Sequence, residues 1–158
     1  MYTVQEATSE YVPAILTLWT NLMNNHKKMD EAFFAETSEN LSAYRNNLEF
    51  SLPSSLCKVF VAFVGNQLVG YITAEFVKPN SLLYNSIPYC EVGDIMIDPN
   101  FQKQGLGKVL VEEVKKWSVS KGIHNIRLNV FSKNKNALVF FKTLGFDELF
   151  HNLELKIN

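Results

Sequence analysis

Residues 95–110 of this 158-residue chain, IMIDPNFQKQGLGKVL, constrain its fold more than any other stretch. An apolar run typical of a strand meets Asp98-Pro99-Asn100, and an amphipathic helix begins at two glycines, Gly105 and Gly107. Glycine costs a helix about 1 kcal/mol relative to alanine, so this position requires a reason. The first N–H groups of a helix are unpaired and carry about half a positive charge, and glycine lets an anion approach the backbone. The pattern therefore predicts a phosphate-binding loop.

Three phosphate-binding motifs contain glycines in this way, and two of them do not fit. The P-loop requires glycine five residues before Gly107 and Ser or Thr after the lysine, where this chain has Gln102 and Val109. The dinucleotide-binding fingerprint requires a third glycine, where this chain has Leu110. The pattern Q/R-x-x-G-x-G/A is matched completely, by Gln102, Gly105 and Gly107.

Composition excludes several classes of function. Hydrophobic residues make up 47% of the chain and aromatic residues 13%, which is typical of a globular protein, and the net charge of −1 gives no case for nucleic acid or an anionic membrane. No apolar run reaches the roughly 20 residues of a membrane span, and the N-terminus has no signal-peptide pattern. Two cysteines without metal-ligand spacing suit a reducing cytosol and predict no metal site. We expect one cytoplasmic domain, residues 1–158.

Hydrophobic periodicity predicts the element order β-α-α-β-β-β-α-β-α-β. The predicted helices are one opening at Ser9 or Glu10, one running from Ser38 to Pro53, and two at 105–121 and 134–144. The predicted strands are 2–7, two around a turn at Gly65-Asn66, and 89–97, 126–130 and 146–157.

The chain resembles the GNAT superfamily of acyl-CoA-dependent N-acyltransferases in two segments. GDIMIDPNFQKQGLG is similar to the superfamily's strand and pyrophosphate loop. NVFSKNKNALVFFKTLGF is similar to its second signature, with Asn134, Ala137, Gly145 and Phe146 at the expected offsets. The resemblance implies an α/β (α+β) fold with a mixed, mostly antiparallel central sheet flanked by helices, and a splayed strand pair at the coenzyme A site.

The resemblance also implies which residues bind acetyl-CoA. The pyrophosphate would bind to the loop after Gln102, at Lys103, Gln104, Gly105, Leu106, Gly107 and Lys108. The backbone of Ile95, Met96 and Ile97 would pair with the pantetheine arm, and one amide near Met96 or Ile97 would face the thioester oxygen. Asn134 would hydrogen-bond the arm. These residues also have structural roles as alternatives to cofactor binding. The isoleucines could simply belong to the core, the lysines could lie on a solvated surface, and Asn134 could be an ordinary helix N-cap.

The usual general acid is missing. Many superfamily members place a tyrosine four residues before the glycine of the second signature, where it protonates the departing thiolate, and this chain has Phe141 there, beside the arm. A thiol has a pKa near 8.5, so a thiolate leaves tolerably without an acid. We expect a modest rate penalty.

The general base has two candidates, Glu91 and Asp94. Three groups of superfamily members carry a catalytic glutamate at different positions. Alanine acetyltransferases of ribosomal proteins have it at the position of Asn129, and polyamine acetyltransferases have it at the position of Gly93. Histone acetyltransferases have it at the position of Glu91. Glu91 is therefore the first candidate, with a solvent-facing carboxylate as the alternative. Strand alternation places Asp94 on the opposite face unless a bulge intervenes.

The acceptor site is expected in residues 25–40 and 79–90. His26 continues the apolar face of the first helix, where a packed core histidine is the alternative to a functional one. Four aromatic residues fall in the segments expected to line the acceptor groove: Phe33, Phe34, Tyr84 and Tyr89.

Together these features predict transfer of an acetyl group to a primary amine of a small molecule, by direct attack in a ternary complex. Cys57 and Cys90 lack a His/Asp arrangement for an acyl-enzyme. By analogy with the superfamily that the chain resembles, the strand edges and the apolar tail favour a homodimer. Two alternatives stay open at this point: an N-terminal acetyltransferase of proteins or peptides, and a non-catalytic acyl-CoA-binding regulatory module.

Overall fold

A computed structural model of the chain describes residues 1–83 and 85–157. The helices are α1 (Val12–Met29), α2 (Thr37–Ser51), α3 (Leu106–Ser120) and α4 (Lys135–Thr143), with short 3₁₀ turns at Ser9–Tyr11 and Pro99–Phe101. The strands are β1 (Tyr2–Glu6), β2 (Cys57–Val64), β3 (Gln67–Val77), β4 (Tyr89–Ile97) and β5 (Ile126–Leu128). Tyr84, an expected acceptor-site residue, lies outside the described residues.

The strands form one sheet in the order β1-β2-β3-β4-β5. The first four strands are antiparallel, and β5 runs parallel to β4. The β2–β3 hairpin turns at Gly65-Asn66, as predicted, and Gly65 has a φ of 59°. A mixed, mostly antiparallel sheet flanked by helices confirms the expected fold class.

Helices cover both faces of the sheet because each has one apolar side. Ile15 and Trp19 of α1 and Leu48 of α2 belong to one buried cluster, together with the sheet residues Val61, Tyr71 and Met96. α3 and Phe141 of α4 belong to the cluster on the opposite face, which includes Cys90 and Val92. Over residues 1–83 and 85–157, none of these helices has the length and apolar character that crossing a bilayer requires.

A bulge interrupts the pairing of β3 with β4. Ile72 is opposite Ile95 and Ala74 is opposite Val92, so the single residue Thr73 faces two residues of β4, Gly93 and Asp94. A bulge of this kind bends its strand and changes which face the following side chains occupy. The pairing of β4 with β5 stops at Val92 and Leu128, where β5 ends.

The predicted last strand at 146–157 is wrong, because no strand is assigned in this segment. Leu153, Leu155 and Ile157 alternate as in a strand, but their exposed fractions are 89%, 85% and 90%. Alternation indicates an extended segment with one apolar side, but a strand also requires a neighbouring strand to bond with. The described part of this chain pairs no strand with the tail.

Candidate active site

The loop between β4 and α3 is shaped by two side-chain hydrogen bonds. The Asp98 carboxylate accepts a bond from the Asn100 amide at 2.9 Å, which fixes the turn after β4. The Gln102 side-chain amide donates to the Ile97 carbonyl at 2.9 Å. The glutamine of the glycine motif therefore holds the loop against the end of β4.

The loop then presents a row of backbone N–H groups. Lys103 has a φ of 60° and Gly105 a φ of 85°, and Gly105 is the N-cap of α3. Alternating right- and left-handed residues form an anion-binding nest. Within residues 1–83 and 85–157, no hydrogen bond is formed by the backbone amides of residues 104–108. These amides, at the positive end of α3, fit a phosphate.

Gly105 and Gly107 are glycines for different reasons. A Cβ on Gly105 would meet nothing within 4 Å, so its requirement is the left-handed backbone. A Cβ on Gly107 would lie 3.0 Å from the Phe140 ring, so this glycine makes room for the contact between α3 and α4. Leu106 between them is buried in the core.

The two residues expected from the second signature also pack within the protein. The Asn134 side chain accepts a hydrogen bond from the Ala137 amide at 3.1 Å, so Asn134 is the N-cap of α4. Phe141 is 6% exposed and lies edge-on to Phe140 and Phe146, with ring centroids 5.0 and 5.5 Å away. Phe141 thus completes the core on the α3 face.

The end of β4 has side chains on both faces and an unpaired backbone edge. Ile95 and Ile97 pack on the α3 side and Met96 on the α1–α2 side, so the core role of these residues is observed. In the described pairings β5 has no partner for β4 after Val92. An extended molecule could therefore bind along this edge as an added strand does.

The bulge puts Glu91 and Asp94 on the same face of the sheet. Cys90 and Val92 belong to the α3 cluster, so Glu91 between them faces α1 and α2. After the bulge Met96 belongs to the α1–α2 cluster, and Asp94, two residues earlier, shares its face. Alternation alone would separate the two carboxylates, and the bulge is the exception under which they share a face.

Glu91 lies in a row of charged and polar side chains. It is directly opposite Glu75 of β3 and Arg127 of β5 in the strand register. The Asn129 side-chain amide donates to the Glu91 carboxylate at 3.4 Å. Tyr89, expected in the acceptor groove, packs under Arg127, whose guanidinium carbon is 4.2 Å from the ring centroid.

The Asp94 carboxyl group has a shifted pKa. Burial raises the pKa of Asp94, while a hydrogen bond from the Tyr44 hydroxyl and the nearby charge of His26 lower it. The Tyr44 hydroxyl also lies 3.3 Å from the Tyr71 hydroxyl. Burial raises the pKa of both tyrosines, so both stay protonated at neutral pH. A carboxyl group with a raised pKa in a site with few charges is typical of a general base.

His26 joins this group from the end of α1. Burial lowers the pKa of its imidazole, and the charge of Asp94 raises it. The ring stacks on Phe34 with centroids 4.9 Å apart, and its buried Nδ1 has no hydrogen-bond partner among the described residues. Such an atom is available to bind a ligand or to accept a proton.

Phe33 and Phe34 close one side of the site by packing on Phe131. Their centroids are 5.3 and 4.9 Å from that of Phe131, which lies between β5 and α4. The Lys133 ammonium, 2.6 Å from the Asp30 carboxylate, ties the same two segments together. The sequence predicted the phenylalanines of the α1–α2 loop but missed Phe131 and Lys133, because nothing local relates segments a hundred residues apart.

A cavity of roughly 470 Å³ lies beside Tyr44, between α2 and the sheet. Its lining includes Asn47, Ser51, Thr73, Glu75 and Gly93. Sequence reasoning missed it. Asn47 and Ser51 lie one turn apart on α2, but Asn47 is exposed, and polar residues beside the apolar side of a helix are ordinary, so no local signal marked the cavity.

Neither cysteine has the surroundings of a nucleophile. Both are free, and burial raises the pKa of Cys90 to about 12, so its thiol stays protonated. Cys57 is half-buried and lines the cavity. Among residues 1–83 and 85–157, no group of three or more His, Cys, Asp or Glu residues is placed to hold a metal ion.

Comparison with known proteins agrees with this architecture. A model of the acetyltransferase (GNAT) family matches residues 19–146. The chain is 34% identical over 82 residues to the ribosomal protein bS18 alanine N-acetyltransferase of Escherichia coli (52% of this chain, 49% of that protein). It is 36% identical over 85 residues to the thialysine N-epsilon-acetyltransferase of Sus scrofa (54% and 48%). The matched stretches thus span about half of each relative.

A solved structure extends the likeness to the whole fold. A mutant of the BH1408 protein of Bacillus halodurans superimposes with a TM-score of 0.89, at 19% identity. The match covers 99% of this chain and 99% of that chain.

Proposed function

Since the chain belongs to the acetyltransferase (GNAT) family, we propose that it transfers an acetyl group from acetyl-CoA to a primary amine of a small molecule. The observation that carries the proposal is the bulge of β4. It turns Asp94 towards α1 and α2, just after the point where the pairing of β4 with β5 ends and leaves a backbone edge that leads to the amide nest.

Acetyl-CoA would bind along β4 and the loop after it. Its pyrophosphate would accept hydrogen bonds from the unpaired amides of 104–108, with Lys103 and Lys108 adding positive charge. Its pantetheine arm would bond the backbone of 95–97 as an added strand, and a backbone amide near Met96 would stabilise the thioester oxygen as negative charge develops there.

The chemistry requires the acceptor ammonium to lose a proton. Asp94 serves as the base in this proposal, because its raised pKa makes it a stronger proton acceptor than an ordinary aspartate. The free amine attacks the thioester carbonyl carbon, the tetrahedral intermediate collapses, and the C–S bond breaks. Phe141 has no proton to give, so the thiolate leaves unassisted and takes a proton from solvent or the intermediate.

Glu91 has a different role, in binding. It lies on the same face as Asp94 but is bonded by Asn129 and lies in register with Glu75 and Arg127. These neighbours suit a group that orients a cationic acceptor. Glu75 also lines the cavity beside Tyr44, which is large enough for a small amine.

A small-molecule acceptor has support from the relatives. Thialysine, the acceptor that names one of them, is a small amine. The other relative is named for a ribosomal protein. The resemblance of the chain to the superfamily implies a glutamate in such enzymes at the position of Asn129 in this chain. We expect a small amine, not a protein terminus, to be the better acceptor.

Acetylation assays test the proposal. Purified protein is incubated with acetyl-CoA and a panel of diamines, amino acids, aminoglycosides and short peptides, while thiol release and acetylated product are measured. We expect acetylation of at least one small amine and weaker acetylation of peptides. Binding of coenzyme A without acetylation of any amine would identify a regulatory module instead, and faster reaction of peptides would identify a peptide acetyltransferase.

A further inference from the structure

We infer that Phe131 and Lys133 hold the loop between α1 and α2 closed over the acceptor site, and that this closure limits the size of the amine that reacts. The inference rests on the proposed function and adds two specificity-determining residues to it. It comes from side-chain contacts between two loops that are distant in the chain.

The two loops start from different sides of the proposed site. Residues 30–36 follow α1, which covers the face of the sheet that carries Met96 and Asp94. Residues 129–134 follow β5, which lies beside the edge of β4 and pairs with it up to Val92. Because β5 is parallel to β4, its loop leaves towards the end of β4. A contact between the two loops therefore spans from the face to the edge, where the amine and acetyl-CoA would meet.

Aromatic packing and one ion pair join the two loops. The Phe131 ring stacks on Phe33, with centroids 5.3 Å apart, and meets Phe34 edge-on at 4.9 Å. The Lys133 ammonium lies 2.6 Å from the Asp30 carboxylate and 5.9 Å from the Phe131 ring centroid. We call these five residues the clasp. It holds the loop between α1 and α2 at its first residue and in its middle.

The clasp forms a wall on one side of the acceptor site. Phe34 stacks on His26 in the last turn of α1, with centroids 4.9 Å apart, so the wall continues into the helix. In the other loop the Asn129 side-chain amide donates to the Glu91 carboxylate at 3.4 Å, which places that loop beside the polar row of the sheet. While the clasp is closed, an amine has to fit within this wall. A small amine fits, whereas a peptide carries a chain that requires the wall to move.

The clasp consists of contacts that can open without unfolding of the domain. Phe33 is 64% exposed and the Lys133 side chain is 58% exposed. Residues 30–36 form turns and a bend. Segments with little buried apolar surface open at much lower free energy than the whole domain, and such loops admit and release substrates in many enzymes. The clasp therefore sets the balance between a closed loop that favours small amines and an open loop that admits larger ones.

Clasp variants test the inference with amines of two sizes. Phe131→Ala removes the stacked ring, and Lys133→Glu, at an exposed position that tolerates substitution, puts a second carboxylate opposite Asp30. We expect kcat/KM for a short peptide, relative to that for an accepted small amine, to rise about tenfold in both variants. Phe131→Tyr keeps the ring and should keep the wild-type ratio. Lys142→Glu, at another exposed lysine paired with a glutamate, is the matched control and should keep it as well.

Proteolysis tests the clasp without turnover. Glu31 lies in the loop between α1 and α2, and a glutamate-specific protease should cut there faster in Phe131→Ala and Lys133→Glu than in the wild type or in Lys142→Glu. Unchanged cleavage, or faster cleavage with an unchanged ratio of peptide to small amine, would overturn the inference. A wild type that acetylates no amine would overturn the proposed function and the size limit with it, while the cleavage rates would still show whether the clasp holds the loop.

Discussion

The Asp94 amide donates a hydrogen bond to the Thr73 hydroxyl at 2.9 Å, at the point where two residues of β4 face one residue of β3. This bond occupies an N–H group that the bulge removes from the regular ladder. A Cβ on Gly93 would lie 2.8 Å from the same hydroxyl, so the residue before Asp94 must also be small. Thr73 and Gly93 together hold Asp94 on the face it shares with Glu91.

Thr73→Val should therefore destabilise the protein by about 1 kcal/mol, the net value of one hydrogen bond. It should also lower kcat/KM, because Asp94 loses its fixed orientation. Urea unfolding and initial rates measure the two effects. Thr73→Ser keeps the hydroxyl and is the control; if it loses as much activity as Thr73→Val, the hydroxyl does not position Asp94.

Gly105→Ala tests the amide nest. Alanine at a φ of 85° should cost about 1–2 kcal/mol, and the strained loop should bind coenzyme A about tenfold more weakly, equivalent to 1.4 kcal/mol. Gly122→Ala is the matched control, since Gly122 follows the other end of α3 with a φ of 70° and also has open space around it. It should lose similar stability and keep the coenzyme A affinity. If calorimetry shows that Gly105→Ala and Gly122→Ala lose coenzyme A affinity equally, a pyrophosphate site at Gly105 is contradicted.

Asp94→Asn should make the protein more stable at neutral pH. The pKa of Asp94 is raised on folding, so the unfolded chain releases this proton at lower pH than the folded protein does. Folding stability is therefore lost as pH rises from the pKa of Asp94 in the unfolded chain through its pKa in the folded protein. The titratable groups that act on Asp94 in the folded protein are His26, Tyr44 and Tyr71. The stability difference between Asp94→Asn and wild type should shrink at pH values below the unfolded pKa.

Asp30→Asn should change stability at neutral pH in the opposite direction, making the protein less stable. Bonding to Lys133 lowers the pKa of Asp30, so its contribution is present above the unfolded pKa and is lost as pH falls through the folded one. Thermal unfolding of Asp30→Asn and Asp94→Asn across pH measures both effects. If both variants shift stability in the same direction at neutral pH, the raised pKa of Asp94 is wrong.

The apolar tail leads us to propose a homodimer. Leu153, Leu155 and Ile157 are exposed at alternate positions, and a second copy of the chain is the partner we propose for them. Leu155→Lys should shift a dimer towards monomer in light scattering. Leu82→Lys, at an exposed leucine between β3 and β4, is the control and should leave the mass unchanged. A wild-type monomer at high protein concentration would contradict the proposal.

Much of the fold could be predicted from the sequence because its signals are local. The Gly65-Asn66 turn, the apolar faces of α1 and α3, and the glycines after helices each act within a few residues. The glycine loop was found for the same reason. The last strand was predicted wrongly because a strand depends on a partner that alternation does not reveal.

The candidate site was harder to predict because its parts meet only in three dimensions. Glu91 was the first candidate because it occupies the glutamate position of one group in the superfamily, and strand alternation counted against Asp94. The bulge that turns Asp94 to the face of Glu91 depends on Thr73 in another strand. The contacts of Tyr44 with Asp94 and of Phe131 with Phe34 likewise join distant segments. Gly93, directly before Asp94, was the one local sign of a bulge.

The most direct measurement of the proposed mechanism is kcat/KM against pH for wild type, Asp94→Asn and Glu91→Gln, with an accepted amine and with coenzyme A affinity measured alongside. We predict that Asp94→Asn lowers kcat/KM by roughly 10²–10⁴-fold and abolishes the fall in rate at acidic pH, with coenzyme A affinity unchanged. Glu91→Gln should raise acceptor KM and keep the acidic fall. Full activity of Asp94→Asn, with its acidic fall intact, would contradict the assignment of Asp94 as the base.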